Sequence, residues 1–199
     1  MIKLITFDIS GVVTDKKLFY DDFLTKLTEF SRAEEFIVSE YFFRAMKNEY
    51  DKREISFDDL ISELAKTANN ISVKDVLKIL YESLSVQEEV LDFVASTKDK
   101  YKTSFISNRS RIVIDAIEKV KGKKYFDFGI SAMDFSGISK PDPRMYDAFQ
   151  EKLVEENILP EEILFIDDTP INLVPAKNLN WQTHLYTDLN SMKKVVESV

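Results

Sequence analysis

Hydrophobic and polar positions change rhythm along this chain. Ile2-Lys3-Leu4-Ile5-Thr6-Phe7 is a short, mostly apolar run stopped by Asp8-Ile9-Ser10-Gly11, the pattern of a buried strand ending in turn residues. From Val12 to Lys121 there is neither glycine nor proline. Within that stretch apolar residues recur at helical spacing: Phe23, Leu27, Phe30; Tyr41, Phe42, Ala45, Met46; Phe57, Leu60, Ile61, Leu64; Val73, Val76, Leu77, Leu80. The spacing predicts four or five amphipathic helices over about residues 15–90.

Farther along, strands and helices alternate. Thr103–Ile106, Phe128–Ser131, Ile163–Ile166 and Thr183–Tyr186 read as strands, and Ile112, Val113, Ala116, Ile117 and Val120 mark a helix. Asp142-Pro143 fits an N-cap followed by proline at the first helical position, leading into Met145, Phe149 and Leu153. Thr169-Pro170 opens another helix, which Pro175 is expected to kink or shorten. Such alternation predicts an α/β fold, a doubly wound parallel sheet with helices on both faces. Residues 1–14 and 91–199 would form this Rossmann-like core, and residues 15–90 an all-helical cap inserted into it. No repeat, low-complexity tract or linker interrupts the pattern.

A length of 199 residues suits one domain with an insert, and 44% apolar with 31% charged residues is ordinary globular composition. Net charge is −8 without a basic run, so neither nucleic acid nor a membrane surface is expected as a partner. No apolar run approaches the ~20 residues of a membrane span. Met1–Phe7 is too short for a signal peptide, which makes the cytoplasm the expected location. A monomer and a homodimer are equally compatible with the sequence.

Two counts narrow the chemistry. There is no cysteine, and His184 is the only histidine. Cysteine nucleophiles, disulfides and Cys/His zinc sites are excluded, and a Ser-His-Asp arrangement would have to use His184. Four glycines, at 11, 122, 129 and 137, supply neither GxGxxG nor a Walker A loop. Catalysis would therefore fall to carboxylates, lysine, hydroxyls and a hard cation.

Ligands of open parallel sheets bind at the carboxyl ends of the strands. Asp8 follows the first predicted strand and Ser107-Asn108 the second. Ser139-Lys140-Pro141-Asp142-Pro143 follows the third, and Asp167-Asp168 ends the Ile163–Ile166 run. This set suits phosphoryl transfer. A carboxylate can attack phosphorus and divide one hard step into two. Bringing an anion to an anion requires cations, which Mg²⁺ on Asp8 and Asp168 and the Lys140 ammonium could supply. The Ser107 hydroxyl and nearby backbone N–H groups could hold phosphoryl oxygens.

The same residues resemble the four motifs of the haloacid dehalogenase-like (HAD-like) hydrolase superfamily, in order. They are Phe7-Asp8-Ile9-Ser10-Gly11-Val12-Val13, Phe105-Ile106-Ser107-Asn108, Ser139-Lys140-Pro141-Asp142-Pro143-Arg144-Met145-Tyr146, and Phe165-Ile166-Asp167-Asp168-Thr169-Pro170-Ile171-Asn172. The helical stretch between the first two matches that family's cap. Lys52-Arg53-Glu54-Ile55-Ser56 and the form of the fourth motif look most like the branch of sugar-phosphate phosphatases and the N-terminal phosphatase domain of epoxide hydrolases. The resemblance implies Asp8 as nucleophile and Ser107, Asn108 and Lys140 as phosphate ligands. It implies Mg²⁺ on Asp8, the carbonyl of Ser10, and Asp168, with Asp167 assisting, and a small phosphorylated metabolite as substrate.

One position departs from the pattern. Family phosphatases usually carry a second aspartate two residues after the nucleophile, as general acid and base; here it is Ser10. A positioned acid–base typically contributes ~10²–10⁴-fold, so a slow phosphatase is expected. Two other readings stand beside it: a relative that binds a phosphorylated ligand or a protein without turnover, and a metal-free 2-haloacid dehalogenase. His184 and Trp181 read as structural. Arg44, Lys47, Asn48, Arg53 and Tyr41–Phe43, with Arg109 and Arg111, could contact substrate but read more simply as packing and solvated charge.

Overall fold

The computed structural model describes residues 1–135 and 137–199. Its strands are β1 (Leu4–Phe7), β2 (Lys102–Ser107), β3 (Phe128–Ser131), β4 (Ile163–Asp167) and β5 (Gln182–Leu185). Its α-helices are α1 (Tyr20–Ser31), α2 (Glu35–Ala45), α3 (Phe57–Thr67), α4 (Val73–Ser83), α5 (Glu88–Thr97), α6 (Ile112–Lys121), α7 (Pro143–Glu155), α8 (Leu173–Asn178) and α9 (Leu189–Glu197). The chain divides into two compact units. One comprises Met1–Lys16, Val86–Arg109 and Lys124–Val199; the other, Lys17–Ser85 and Ser110–Lys123.

The first unit is built on a five-stranded sheet in the order β3-β2-β1-β4-β5, with every neighbouring pair parallel. β1 is central and its four residues are buried, as a strand covered on both faces requires. Side chains alternate between faces. Leu4, Ile106, Ile163 and Phe165 join Met145, Tyr146, Phe149 and Leu153 of α7, Ala176 of α8, and Trp181 in one apolar cluster. Trp181 stands 5.5 Å from the Phe149 ring and 6.1 Å from Phe165, a packing role. Phe7 and Phe105, of the other parity, meet the ring of Phe126.

Most of these elements lie where the pattern puts them. β3 spans the predicted residues, and Asp142 caps α7 by accepting the Arg144 N–H, with Pro143 following. The helix expected to open at Thr169-Pro170 is short, the six residues of α8. Pro170–Asn172 forms a separate 3-10 turn, and α8 begins at Leu173. Pro175 thus falls in the first helical turn, where its missing N–H has no intrahelical acceptor to lose. Helices α5 and α9 were not assigned by the pattern. The first straddles the expected cap boundary at residue 90, and the second buries only Met192 and Val196.

The second unit is helical: α1 packs on α2 and α4, α3 on α2 and α4, and α6 on α4. Capping agrees with the sequence, since Ser56 and Ser72 accept the N–H groups of Asp59 and Asp75. α2 runs into a π-helical turn, Met46–Tyr50, and the Tyr50 hydroxyl donates to Asp115 of α6. Although α6 follows β2 in sequence, it groups with these helices.

Gly129 of β3 lies opposite Phe105 of β2, and a Cβ there would sit 2.3 Å from the Phe105 ring. Gly129→Ala is expected to cost about 1–3 kcal/mol through overpacking. In a double-mutant cycle measured by urea unfolding, Phe105→Leu should relieve much of that penalty.

Candidate active site

The register of the sheet sets the site. Phe7 pairs with Ile166, so the residues that follow, Asp8 and Asp167, leave adjacent strands side by side. The Asp8 N–H donates to the Ile166 carbonyl at 2.8 Å, continuing the ladder. Both carboxylates are buried, Asp167 completely. Like charges this close need a counter-ion. Lys140, in the loop before α7, supplies it: Nζ lies 2.8 Å from Asp8 Oδ1 and 2.7 Å from Asp167 Oδ2, with its side chain 1% exposed.

Each member of this group is held from behind. Asn108 clamps the Lys140 backbone, with Nδ2 donating to its carbonyl at 3.0 Å and Oδ1 accepting its N–H at 2.7 Å. Asp167 accepts the Thr169 N–H at 2.8 Å and Asn172 Nδ2 at 3.1 Å on both oxygens. Asn172 in turn accepts the Tyr146 hydroxyl on its carbonyl. Asp8 Oδ1 also accepts the Ile9 N–H at 2.6 Å. No described residue donates to Asp8 Oδ2.

Asp168 points elsewhere. Its Oδ2 pairs with Lys16 Nζ at 2.7 Å, and its Oδ1 accepts the Thr169 hydroxyl at 3.0 Å. Gly11 makes room for it. A Cβ at position 11 would lie 1.9 Å from Asp168 Oδ2, and φ there is +99°, a region glycine tolerates and other residues rarely enter.

Asp8, Ser10, Lys140 and Asn172 line one cleft of about 350 Å³, with Lys16, Asn108, Arg109 and Thr169 around them. Ser107 is buried at the end of β2, and its Oγ accepts the Arg109 N–H at 3.0 Å. Its own proton stays free to donate. Most of the residues read from the sequence as chemical therefore gather at one sheet edge. His184 does not: it sits on β5, bonded to Ser191 Oγ at 3.1 Å. Arg111 belongs to the helical unit, beside Tyr50, Arg53 and Asp115. Sequence reading overlooked Lys16, Thr169 and the role of Asn172. Thr169 and Asn172 lie within the fourth motif and were recoverable from it; a lysine in a polar loop gives no such signal.

Electrostatics favour a cation. Burial, the largest effect, pushes the Asp8 carboxyl up to about 6; Lys140 pulls it down and Asp167 raises it further. Asp168 in turn raises the pKa of Lys16. One oxygen from each of Asp8, Asp167 and Asp168 lies within 4.8 Å of the others. This is a hard-oxygen set of the kind Mg²⁺ prefers. The donor chemistry fits a divalent ion.

Comparisons with known proteins agree with this fold. Residues 2–180 match the model of the haloacid dehalogenase-like hydrolases. Rat bifunctional epoxide hydrolase 2 (Rattus norvegicus) is 26% identical over 141 residues, covering 68% of this chain and 25% of that protein. The chain therefore spans about a quarter of that relative's length. A HAD family enzyme from Bacteroides thetaiotaomicron, solved as a magnesium complex, superposes with TM-score 0.56 at 22% identity, covering 97% of this chain and 98% of that one. L-2-haloacid dehalogenase from Xanthobacter autotrophicus, with chloropropionic acid covalently bound, gives 0.52 at 18% identity, covering 100% and 83%. Four motifs on one parallel sheet edge and a family match across nearly the whole sequence make this chain a member of the haloacid dehalogenase-like hydrolases.

Proposed function

We propose that the chain is a slow, Mg²⁺-assisted phosphatase of a small phosphorylated metabolite, working through an aspartyl-phosphate on Asp8. The observation that carries this reading is the buried pairing of Lys140 with both Asp8 and Asp167, with an Asp168 oxygen within 4.8 Å of theirs and a polar cleft opening on Asp8 and Lys140. Such a site concentrates negative ligands and counter-charge together, which phosphoryl transfer needs and attack on neutral carbon does not. Asp8, Asp168 and the Ser10 carbonyl would hold Mg²⁺, with Asp167 behind them. The ion, when bound, neutralises charge on the transferring group.

The chain's own groups do the rest. Asp8 Oδ2, the oxygen without a donor, attacks phosphorus, and the P–O bond to the leaving group breaks. Lys140 fixes the Asp8 carboxylate through Oδ1 and offsets the incoming charge. The Ser107 hydroxyl donates to a phosphoryl oxygen. Asn108 keeps Lys140 in place through its backbone. Water then cleaves the aspartyl-phosphate, returning the Asp8 carboxylate and releasing phosphate. Ser10 offers no carboxyl group to protonate the departing alkoxide or to activate that water, so good leaving groups turn over best.

A second reading rests on Ser10 itself: a relative that binds its phosphorylated ligand and barely turns it over. An aryl phosphate assay separates the two. Mg²⁺-dependent hydrolysis is expected for the wild type, abolished in Asp8→Asn. Ser10→Asp should raise turnover by about tenfold or more, up to the ~10²–10⁴ a well-positioned general acid–base supplies. A silent wild type that Ser10→Asp awakens supports the binder. Halide release from a 2-haloacid without metal overturns both.

Stability gives an independent check. Because burial raises the Asp8 carboxyl to about 6, folding opposes its ionisation. Stability from this group is full below the unfolded pKa and lost as pH rises through about 6. Metal-free Asp8→Asn should therefore be more stable than wild type at pH 7.5, by about 1–3 kcal/mol. The gap should close near pH 4 in urea titrations, and Mg²⁺ should narrow it at pH 7.5 by stabilising the wild type preferentially.

A further inference from the structure

Lys16 is the one cation on Asp168 that the motifs do not account for. Its ammonium lies 2.7 Å from Asp168 Oδ2, yet its side chain is 65% exposed. Its backbone is anchored independently, because Arg109 Nη2 donates to the Lys16 carbonyl at 2.9 Å. The stem of Lys16 runs across the space that Gly11 leaves open: a Cβ there would lie 2.8 Å from Lys16 Cε and 1.9 Å from Asp168 Oδ2. A fixed root, a solvated flexible stem and an ammonium seated on a carboxylate describe a counter-ion that can leave.

We propose that Lys16 is a built-in competitor for the divalent cation at Asp168, a tethered ammonium that holds this carboxylate in the metal-free protein and must swing away for the ion to bind. The inference rests on the reading of Asp168 as a metal ligand. Lys140 cannot play this part, being buried and committed to Asp8 and Asp167. Only the lysine of this pair is exposed, Asp168 being 9% exposed; water on the lysine side screens the contact, so its effect on metal affinity is modest: roughly two- to fivefold. The released ammonium stays at the cleft rim, where Lys16 is one of the lining residues, and adds positive charge beside an incoming anion.

Isothermal titration with Mg²⁺ alone, at low ionic strength and without substrate, tests this. Lys16→Gln should bind Mg²⁺ roughly two- to fivefold more tightly than wild type, and Lys16→Arg about as wild type does. Lys17→Gln, which removes the neighbouring exposed charge, should change little. The advantage of Lys16→Gln should shrink at high salt, since ions screen a contact that is open to water on its lysine side. Unchanged or weaker Mg²⁺ binding by Lys16→Gln overturns the proposal while leaving the metal reading intact. An equal gain in Lys17→Gln also overturns it, by showing a general charge effect. A wild type that takes up no Mg²⁺ overturns the metal reading and this inference together.

Discussion

A single buried ammonium between two buried carboxylates organises this protein. Lys140 lies within 2.8 Å of both Asp8 and Asp167, and none of the three has much access to water. Removing Lys140 would leave two buried carboxylates without a counter-ion, which is why this residue constrains the fold. The sheet makes the problem by setting β1 beside β4 in a register that aligns Asp8 with Asp167. The loop before α7 answers it by delivering Lys140, with Asn108 gripping both backbone groups of that residue.

The support runs deeper than direct contacts. Tyr146 on α7 donates to the Asn172 carbonyl, Asn172 donates to Asp167, and Asp167 accepts from Lys140. Burial chiefly, with the charges of Asp167 and Asp8, pushes the Tyr146 hydroxyl far above its usual range, so it remains a proton donor. This chain of donors ties the apolar core under α7 to the polar rim. A fully satisfied network of this kind holds a site still, as preorganised electrostatic stabilisation requires.

How much of this was legible follows from what each residue does locally. Strands β1, β3 and β4 were readable because each is a short apolar run ended by a polar residue. The capping pair Asp142-Pro143 was readable because its preference is intrinsic to the backbone. Asp8, Lys140, Asp167 and Asp168 were found because strand ends converge in a parallel sheet, so motif order becomes proximity. The grouping of α6 with the helical unit was not legible, because helical periodicity says nothing about which partner covers an apolar stripe. Nor was the Lys16–Asp168 pair: it depends on Gly11 at φ +99° and on the missing Cβ beside Asp168, a fact of three dimensions.

Ser10 gains a physical rationale from the same charge count. Asp8, Asp167 and Asp168 face two ammonium groups, Lys140 and Lys16, so the metal-free cluster already carries an excess of negative charge. Burial chiefly, with the charge of Asp167 adding to it against the pull of Lys140, has raised Asp8 to about 6. A fourth carboxylate at position 10, in the same cleft, would increase the repulsion and make the site still more dependent on a bound cation. A hydroxyl leaves the cluster near balance with lysines alone, at the expense of a proton shuttle. On the reading of this chain as a slow phosphatase, the hydroxyl that forgoes acid–base chemistry also eases the electrostatic load on the metal-free site, a trade between stability and rate of the kind active sites commonly make.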